Sequence, residues 1–502
     1  MNATTRLIHD YSGLVTWLGE CTGLAFPADR LADATDRIGR VMARTGDQDI
    51  SEFLARIKRG GPALDDLISE LTIGESYFFR DPDQFDFIRR EVIPEIHRLK
   101  GPLHTFRALS AGCASGEEAY SLSILFEQEG LADRSHVTGV DICRAALVKA
   151  RKAEYASWAL RDSDADFRSR YFHQQGDRWV LADSLRKRVS FEFMNLALDV
   201  CPSFATGVWG MDIILCRNVL IYFDRATVKD VVRKLVDSLS EGGWLFTGAS
   251  DPMPVQTSPL EVVQTPVGLA YRRGVGPRLF VTPGHCLSDA ASLDVGISVE
   301  PTLSVFDQSN VREPRPVDEA PPPGVDRPSD LSDFEEDPLE SLLRVFSAGD
   351  WARAAELAVT HSSHPRAWAI RARALANQGD LSGAEATAVE GARYYPFFPE
   401  LHVLRSVLLI ALNRREEADR AIRRALYLDR KLAIAHLLHG SLLVWLGKVT
   451  AARHAFKNAL HLCSARPPDE IVELSDGEPA GRLAEVAAAQ IDLLDKMKEV
   501  SP

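Results

Sequence analysis

Residues 108–125 read ALSAGCASGEEAYSLSIL, an apolar run followed by a turn with two glycines and then a segment of small and apolar residues. This pattern predicts a strand, a tight turn at Gly112 and Gly116, and a helix. Ser115 and Glu118 form an S-x-x-E capping box, which predicts that the helix begins just after Gly112. Glycines in such a turn let a ligand approach the backbone closely.

The acidic residues near this turn favour a positively charged ligand. The G-x-G-x-x-G spacing of dinucleotide sites is absent, and the neighbouring Glu117 and Glu118 fit poorly beside a pyrophosphate. Asp141 ends the next strand, VTGVD, where such folds place an acid that accepts hydrogen bonds from ribose hydroxyls. S-adenosylmethionine carries a sulfonium and no phosphate, so it fits this pattern better than a nicotinamide dinucleotide.

Outward from this stretch, the pattern of strands and helices defines several regions. From Thr105 to Tyr271, apolar runs alternate with helices, which predicts a doubly wound, mostly parallel α/β domain. The strand candidates are FRALSA, HVTGVD, VSFEFMN, DIILCRN, GWLFTGAS and VGLAYRR. Residues 1–75 show helical periodicity alone, which predicts an all-helical N-terminal domain. Residues 300–340 contain eight prolines and twelve acidic residues, so we predict a disordered acidic linker over 275–340.

A repeated pattern follows the linker. Related stretches begin at 349, 379, 413 and 447, and the last two intervals are 34 residues each. Small residues align at Ala384, Ala418 and Ala452, which resembles the tetratricopeptide repeat. We predict repeats over 341–465, a capping helix over 479–500, and a concave surface that binds a protein partner. The linker would let this all-α domain move independently.

Composition excludes several classes of protein. The chain has 502 residues, and its net charge of -13 argues against a general nucleic-acid binder. Its apolar runs are shorter than the roughly 20 residues that span a bilayer, and no secretory signal is apparent. The seven cysteines form no CxxC pair and have no matching histidine spacing. We therefore predict a cytoplasmic protein with reduced thiols and no metal site.

Six segments together resemble the CheR-type chemoreceptor glutamate methyltransferases. They are LTIGESYFFRD (71–81), FRALSAGCASGEEAYSL (106–122), TGVDICRAALVKAR (138–151), FEFMNL (191–196), DIILCRNVLIYFD (212–224) and GGWLFTGASD (242–251). The resemblance covers roughly residues 10–273. Part of that family, including the biofilm-regulating and gliding-motility branches, also carries a tetratricopeptide-repeat tail, and the tail of this chain resembles it. The sequence leaves open whether the protein partner of the repeats is the receptor, another signalling protein or the chain's own catalytic domain. The resemblance implies a class I, Rossmann-like methyltransferase domain over 76–274 with a small antiparallel subdomain, and a receptor-recognition domain over 1–75.

The resemblance also implies a set of site residues. Together with Gly112 of the turn, the residues that would bind S-adenosylmethionine are Gly74, Ser76, Arg80, Glu117, Asp141, Asn195, Leu196, Arg217 and Asn218. The family usually has Asn at Gly74 and Thr at Ser76, so the glycine lacks a side-chain amide. Arg80 and Tyr222 would orient the acceptor, although Arg80 could instead form a structural salt bridge and Tyr222 could be an ordinary buried aromatic.

Methylation of a glutamate requires little further chemistry, because a carboxylate with a pKa near ~4.3 is already ionised at neutral pH. Alignment and exclusion of water would then supply the catalysis. Arg37, Arg40 and Arg44 share one helix face, and such a row is commonly just a solvated surface. The resemblance implies instead that this face meets the acidic methylation helices of a receptor. Some members of the family bind a C-terminal peptide of the receptor through a longer, more glycine-rich loop than the short connection around Gly176. The resemblance therefore implies binding that does not depend on such a peptide. Two alternatives remain: a methyltransferase with another substrate, such as a small molecule or RNA, and a weakly catalytic or non-catalytic scaffold that acts through its repeats.

Overall fold

The computed structural model describes residues 3–27, 30–72, 74–204, 206–252, 260–274 and 338–499. Apart from its last three residues, the predicted linker lies outside these ranges. No described helix is both long and apolar enough to cross a membrane. Within the same ranges, no three His, Cys, Asp or Glu side chains are grouped as a metal site requires.

The N-terminal region is all-helical, as its periodicity predicts. Its helices are α1 (Ala3–Thr22), α2 (Leu31–Thr45), α3 (Ile50–Ile57) and α4 (Pro62–Leu71). Leu18, Ile38 and Phe53 are fully buried between these helices, because apolar residues at helical spacing place one stripe toward a shared core. Asp49 caps α3 by accepting two backbone N–H groups.

The central region is an α/β domain with two sheets. Its elements are α5 (Pro82–Phe87), a π-helical turn (Ile88–Val92), α6 (Ile93–Lys100), β1 (Phe106–Ala111), α7 (Glu117–Gln128), β2 (Ser135–Asp141), α8 (Arg144–Lys152), β3 (Glu154–Ala156), α9 (Ala165–Tyr171), β4 (Phe172–Gln175), β5 (Arg178–Leu181), α10 (Asp183–Arg186), β6 (Val189–Phe193), β7 (Met211–Cys216), α11 (Arg225–Ser238), β8 (Leu239–Thr247), β9 (Leu260–Thr265) and β10 (Gly268–Arg273). All six strand candidates are confirmed. The sequence pattern did not indicate β9, whose residues are half-exposed along much of its length.

The larger sheet has the order β6-β2-β1-β7-β8-β10-β9. The first five strands are parallel to one another. Strand β10 is antiparallel to its neighbour β8, and β9 is antiparallel to β10. The order reverses at β1, which pairs with β2 on one side and β7 on the other. Ligands of such sheets bind beyond the carboxyl ends of the strands at this reversal. The smaller sheet, β3-β5-β4, is the predicted antiparallel subdomain, and the tight β4–β5 turn contains Gly176 in a left-handed conformation.

The C-terminal region is an array of antiparallel helices. They are α12 (Pro338–Ser347), α13 (Trp351–Thr360), α14 (Pro365–Asn377), α15 (Leu381–Tyr394), α16 (Pro399–Ala411), α17 (Arg415–Leu428), α18 (Ala433–Trp445), α19 (Val449–Ser464) and α20 (Ala480–Glu499). The aligned residues Ala384, Ala418 and Ala452 are completely buried, because paired helices approach closely where side chains are small. The division into domains at the boundaries given above stays a prediction.

The repeats pack directly on the α/β domain, so the expectation that they move independently is wrong. Trp209 lies near the end of the loop between β6 and β7, and it belongs to the apolar core of the repeat array. Its ring stacks on Phe204 with centroids 4.3 Å apart, and Arg373 of α14 lies over Phe204. Composition of the linker alone could not indicate this docking, because the contact depends on surfaces far from the linker.

The docked repeats cover a polar part of the larger sheet. Alternate residues of a strand point to opposite faces, and Arg107, His136 and Ser190 line a cavity of about 100 Å³ beneath α16 and α18. The His136 ring lies 4.5 Å from that of Trp445, and burial lowers the His136 pKa to about 3. The repeats therefore cover this part of the chain's own sheet with α16 and α18, and a concave surface for a protein partner stays a prediction.

Glu478 provides a test of this docking. It is 3% exposed and accepts a hydrogen bond from Val200 N–H at 2.5 Å. Burial, with a contribution from Asp199, raises its pKa from 4.5 to about 7. A raised folded-state pKa gives stability that is present below the unfolded pKa and is lost as pH rises through the folded pKa.

We therefore expect Glu478→Gln, which stays neutral, to stabilise the chain by about 1–2 kcal/mol at pH 8 and by less at pH 5. Thermal unfolding at the two pH values would measure this difference. Glu473→Gln, at an exposed position, is the matched control. Equal effects of Glu478→Gln at both pH values would contradict the raised pKa of Glu478 in the folded chain.

Candidate active site

A cavity of about 430 Å³ opens beyond the carboxyl ends of β1, β2 and β7. This volume is typical of small-molecule sites, which run to roughly 300–1,000 Å³. The sequence-predicted residues that line it are Gly74, Ser76, Arg80, Gly112, Asp141, Asn195, Leu196, Arg217, Asn218 and Tyr222. Glu117 lies beside the cavity through its bond to Ser115, whereas Arg37, Arg40 and Arg44 do not line it.

The glycine turn after β1 forms one wall of the cavity, but the predicted capping box is wrong. Helix α7 begins at Glu117, and its N-cap is Gly116 with a left-handed backbone and no side-chain cap. Ser115 Oγ donates to the Glu117 carboxylate at 2.9 Å. Glu118 is unavailable as a cap because it pairs with Arg217. Gly112 is also required by packing, since a Cβ there would lie 2.4 Å from Val219.

Two acids lie at this turn: the half-buried Asp141 lines the cavity, and the buried Glu117 lies beside it. Asp141 accepts N–H groups of Ala114 at 2.8 Å and Cys143 at 2.7 Å, which holds the ends of both strands together. Burial raises the pKa of both Asp141 and Glu117. A cation placed between them would oppose this effect of burial. These residues therefore fit a sulfonium cofactor better than a phosphate.

Arg217 braces the cavity, although it was predicted to bind the cofactor. Its Nε donates to Glu118 Oε2 at 2.7 Å, and its Nη1 donates to the Arg80 carbonyl oxygen at 2.6 Å. A further ion pair joins it to Asp81 at 3.3 Å. With these partners, the buried guanidinium positions the backbone of Arg80, and its direct contact with a cofactor stays a prediction.

The turn that contains Asn218 and Tyr222 is held by Asp251. The Asp251 carboxylate accepts N–H groups of Asn218 at 2.5 Å, Gly248 at 2.8 Å and Ile221 at 3.3 Å. Asn218 itself has a left-handed backbone with φ of 58°. Sequence reasoning missed this role of Asp251, although the residue ends the GGWLFTGASD segment.

The N-terminal domain supplies another wall, which sequence reasoning also missed. Ala25 N–H donates to the Tyr222 carbonyl oxygen at 2.8 Å, and Arg30 Nη1 donates to the Ile221 carbonyl oxygen at 3.3 Å. Thr22 and Leu24 line the cavity directly. No local pattern marks these residues, because their role arises from contact with a distant loop.

Positive charge from three arginines acts on the Tyr222 phenol. Burial raises the pKa of this phenol, and Arg30, Arg37 and Arg80 oppose that rise. The phenol therefore stays protonated at neutral pH and can donate a hydrogen bond. The half-buried Arg80 has no carboxylate within ion-pair distance among the described residues, and its Nη1 makes a long 3.4 Å contact with the Glu75 carbonyl oxygen. Its guanidinium is thus available to a substrate.

The predicted recognition arginines on α2 are paired within the N-terminal domain. Arg37 contacts Asp33 at 2.8 Å, and Arg40 contacts Glu70 at 2.9 Å. Arg44 contacts Glu70 as well, and the two arginines lower the pKa of this shared carboxyl. The face is therefore less positive than the sequence pattern alone indicates, and its recognition role stays a prediction.

Gly74 leaves room for an asparagine side chain, which the resemblance leads us to expect at this position. A Cβ added there would meet only Ala114 Cβ, at 3.9 Å. We expect Gly74→Asn to tighten S-adenosylhomocysteine binding about fivefold, because one added hydrogen bond is worth roughly 1 kcal/mol. Gly74→Ala, which lacks the amide, is the control in calorimetry. Weaker binding by the Asn variant than by the Ala variant would contradict the expectation.

Comparisons with known proteins agree with this geometry. Residues 74–269 match the family model described as CheR methyltransferase, SAM binding domain. Chemotaxis protein methyltransferase Cher2 of Pseudomonas putida is 30% identical over 274 residues, which cover 52% of this chain and 97% of the relative. A probable biofilm formation methyltransferase, WspC of Pseudomonas aeruginosa, is 29% identical over 253 residues, which cover 50% of this chain and 59% of the relative.

The chain is also similar to a solved structure. It is a thermophilic tetratricopeptide-repeat protein of Thermus thermophilus, with 18% sequence identity and a TM-score of 0.24. The match covers 32% of this chain and 96% of that protein.

Proposed function

Because the chain belongs to the CheR family of S-adenosylmethionine-dependent methyltransferases, we propose that it methylates glutamate side chains of a methyl-accepting chemoreceptor. The observation that carries this proposal is the division of one cleft into two parts. Asp141 lines its inner part at the strand ends, with the buried Glu117 beside it, and Arg80 and Tyr222 line its other part. The inner part suits a cationic donor, and the other part suits an anionic acceptor.

The chain's own residues would orient the acceptor and exclude water. Bound S-adenosylmethionine supplies an electrophilic methyl group on its sulfonium. A planar guanidinium such as Arg80 can hold a carboxylate by two parallel hydrogen bonds, while the Tyr222 phenol donates one more. No general base is needed, because the acceptor carboxylate is ionised at neutral pH. Thr22 and Leu24 of the N-terminal domain form part of the wall of the same cavity.

The charge at the cleft favours an acidic protein surface as the substrate. Arg30 comes from the N-terminal domain, and Arg80 comes from the segment before α5. Together they place positive charge where a glutamate-rich helix would approach, which steers association and suppresses wrong partners. The names of the chemotaxis relatives support a receptor as the partner. The cognate receptor and the partner of the repeats are not specified by these contacts.

Transfer of radioactive label tests the proposal. The full chain is incubated with S-adenosylmethionine labelled in its methyl group and with the cytoplasmic helical fragment of a methyl-accepting chemoreceptor from the same genome. We expect base-labile label on the fragment, as a glutamate methyl ester requires. A fragment whose methylation glutamates are replaced by alanine is the control. Base-stable label, or equal label on the control fragment, would point to another substrate.

A further inference from the structure

The loop after β6 connects the cofactor cavity to the repeat domain. Asn195, which lines the cavity, closes a short turn with Asp199. Asn195 N–H donates to Asp199 Oδ2 at 2.7 Å, and Asp199 N–H donates to the Asn195 carbonyl oxygen at 2.8 Å. The Asn195 amide then donates to the Cys21 carbonyl oxygen of α1 at 3.2 Å. The Asp199 carboxylate therefore fixes the backbone from which Asn195 reaches the cavity.

The charge partner of Asp199 belongs to the last helix of the chain. Arg482 of α20 donates to Asp199 Oδ1 through both Nε, at 2.9 Å, and Nη2. Asp199 is only 4% exposed, so its charge requires a partner at this distance. The two residues are 283 positions apart, and they join the repeat domain to the cofactor cavity through one side chain on each side.

Other contacts to this loop cannot replace the arginine. Lys234 of α11 donates to the carbonyl oxygens of Ala197 at 2.8 Å and Asp199 at 2.9 Å, so it holds the main chain rather than the carboxylate. Glu478 also approaches the loop from the repeat side. It cannot replace Arg482 because it is acidic, and the charge of Asp199 helps to raise its pKa. Without Arg482, two buried carboxylates would face each other beside this loop.

We propose that Asp199 and Arg482 are positioning residues for the methyl-donor site, so that the repeat domain completes that site. The carboxylate holds Asn195 in place, and the arginine holds the carboxylate. Neither side chain touches the reacting atoms. The inference rests on the cofactor site proposed above, and it gives the docked repeats a role in donor binding that is separate from partner recognition.

The test measures S-adenosylhomocysteine binding by calorimetry on full-length variants. We expect Arg482→Gln to weaken binding about tenfold, because a buried hydrogen-bonded charge loses its partner. Arg482→Lys, which keeps the charge, should stay within about threefold of the parent chain. In methylation assays, the KM for S-adenosylmethionine should rise while kcat changes much less, because Asn195 lies on the donor side.

The matched control is Arg453→Gln. Arg453 of α19 pairs with Asp495 of α20, the helix that also carries Arg482. Both members of this pair lie within the repeat domain. We expect the control to bind S-adenosylhomocysteine as the parent chain does. Equal affinities for the Arg482→Gln variant and the parent would overturn the inference, and so would equal losses in both glutamine variants, since destabilised repeats would then be the cause. Failure of the parent chain to bind would instead remove the proposed cofactor site.

Discussion

We expect the Arg80→Met variant to lose about 100-fold in kcat for receptor methylation, with a much smaller loss of affinity for S-adenosylhomocysteine. Arg80 lacks a carboxylate partner among the described residues, and its backbone is held by Arg217 through the 2.6 Å bond to its carbonyl oxygen. A cation that is positioned in advance orients an acceptor carboxylate without reorganising when the reaction occurs. Methionine keeps the apolar stem and removes the fork of donors.

Initial rates with a receptor fragment, combined with calorimetry, measure this effect. Arg80→Lys should recover part of the activity, because lysine keeps the charge but cannot make two parallel hydrogen bonds. The matched control is Arg90→Met, which removes an arginine that is 68% exposed and paired with Asp86 at 2.9 Å. An Arg80→Met variant that retained more than about a tenth of the parent kcat would exclude Arg80 as the orienting group.

The second large effect is expected at the junction between the α/β domain and the repeats. We predict that Trp209→Ala lowers the free energy of unfolding by about 3–5 kcal/mol, the usual range for truncating a buried tryptophan. Trp209 is 1% exposed. One face of its ring stacks on Phe204, and the Arg107 guanidinium lies 3.9 Å from its centroid. Alanine would leave a cavity and remove a contact that spans both domains.

Urea denaturation followed by tryptophan fluorescence and circular dichroism measures this loss. The control is Trp158→Ala, because Trp158 is 66% exposed and its truncation should change stability by less than about 0.5 kcal/mol. Since the repeats pack on Trp209, the α/β domain and the repeats of the Trp209 variant should also unfold in separate transitions with distinct midpoints. A loss below about 1 kcal/mol would show that the repeats dock by other contacts.

The cofactor site is the part of the molecule that sequence patterns describe best. Most of the predicted residues lie at one cavity, because they follow strand ends, and parallel strand ends meet at one edge of a sheet. Sequence patterns failed where a side chain had a stronger distant partner. Glu118 does not cap α7 because Arg217 binds it, and the α2 arginines do not form a free basic face because Glu70 pairs with Arg40 and Arg44 and Asp66 pairs with Arg44 as well.

By itself, the sequence determined the alternation of strands and helices, the glycine turn and the period of the repeats. These features depend on residues a few positions apart, whose spacing decides which face of an element is apolar. Only the tertiary structure decided that the repeats cover the sheet and that Arg482 reaches Asp199. Such contacts join surfaces that are hundreds of residues apart, so their pairing depends on shape and charge in three dimensions, which no local period encodes.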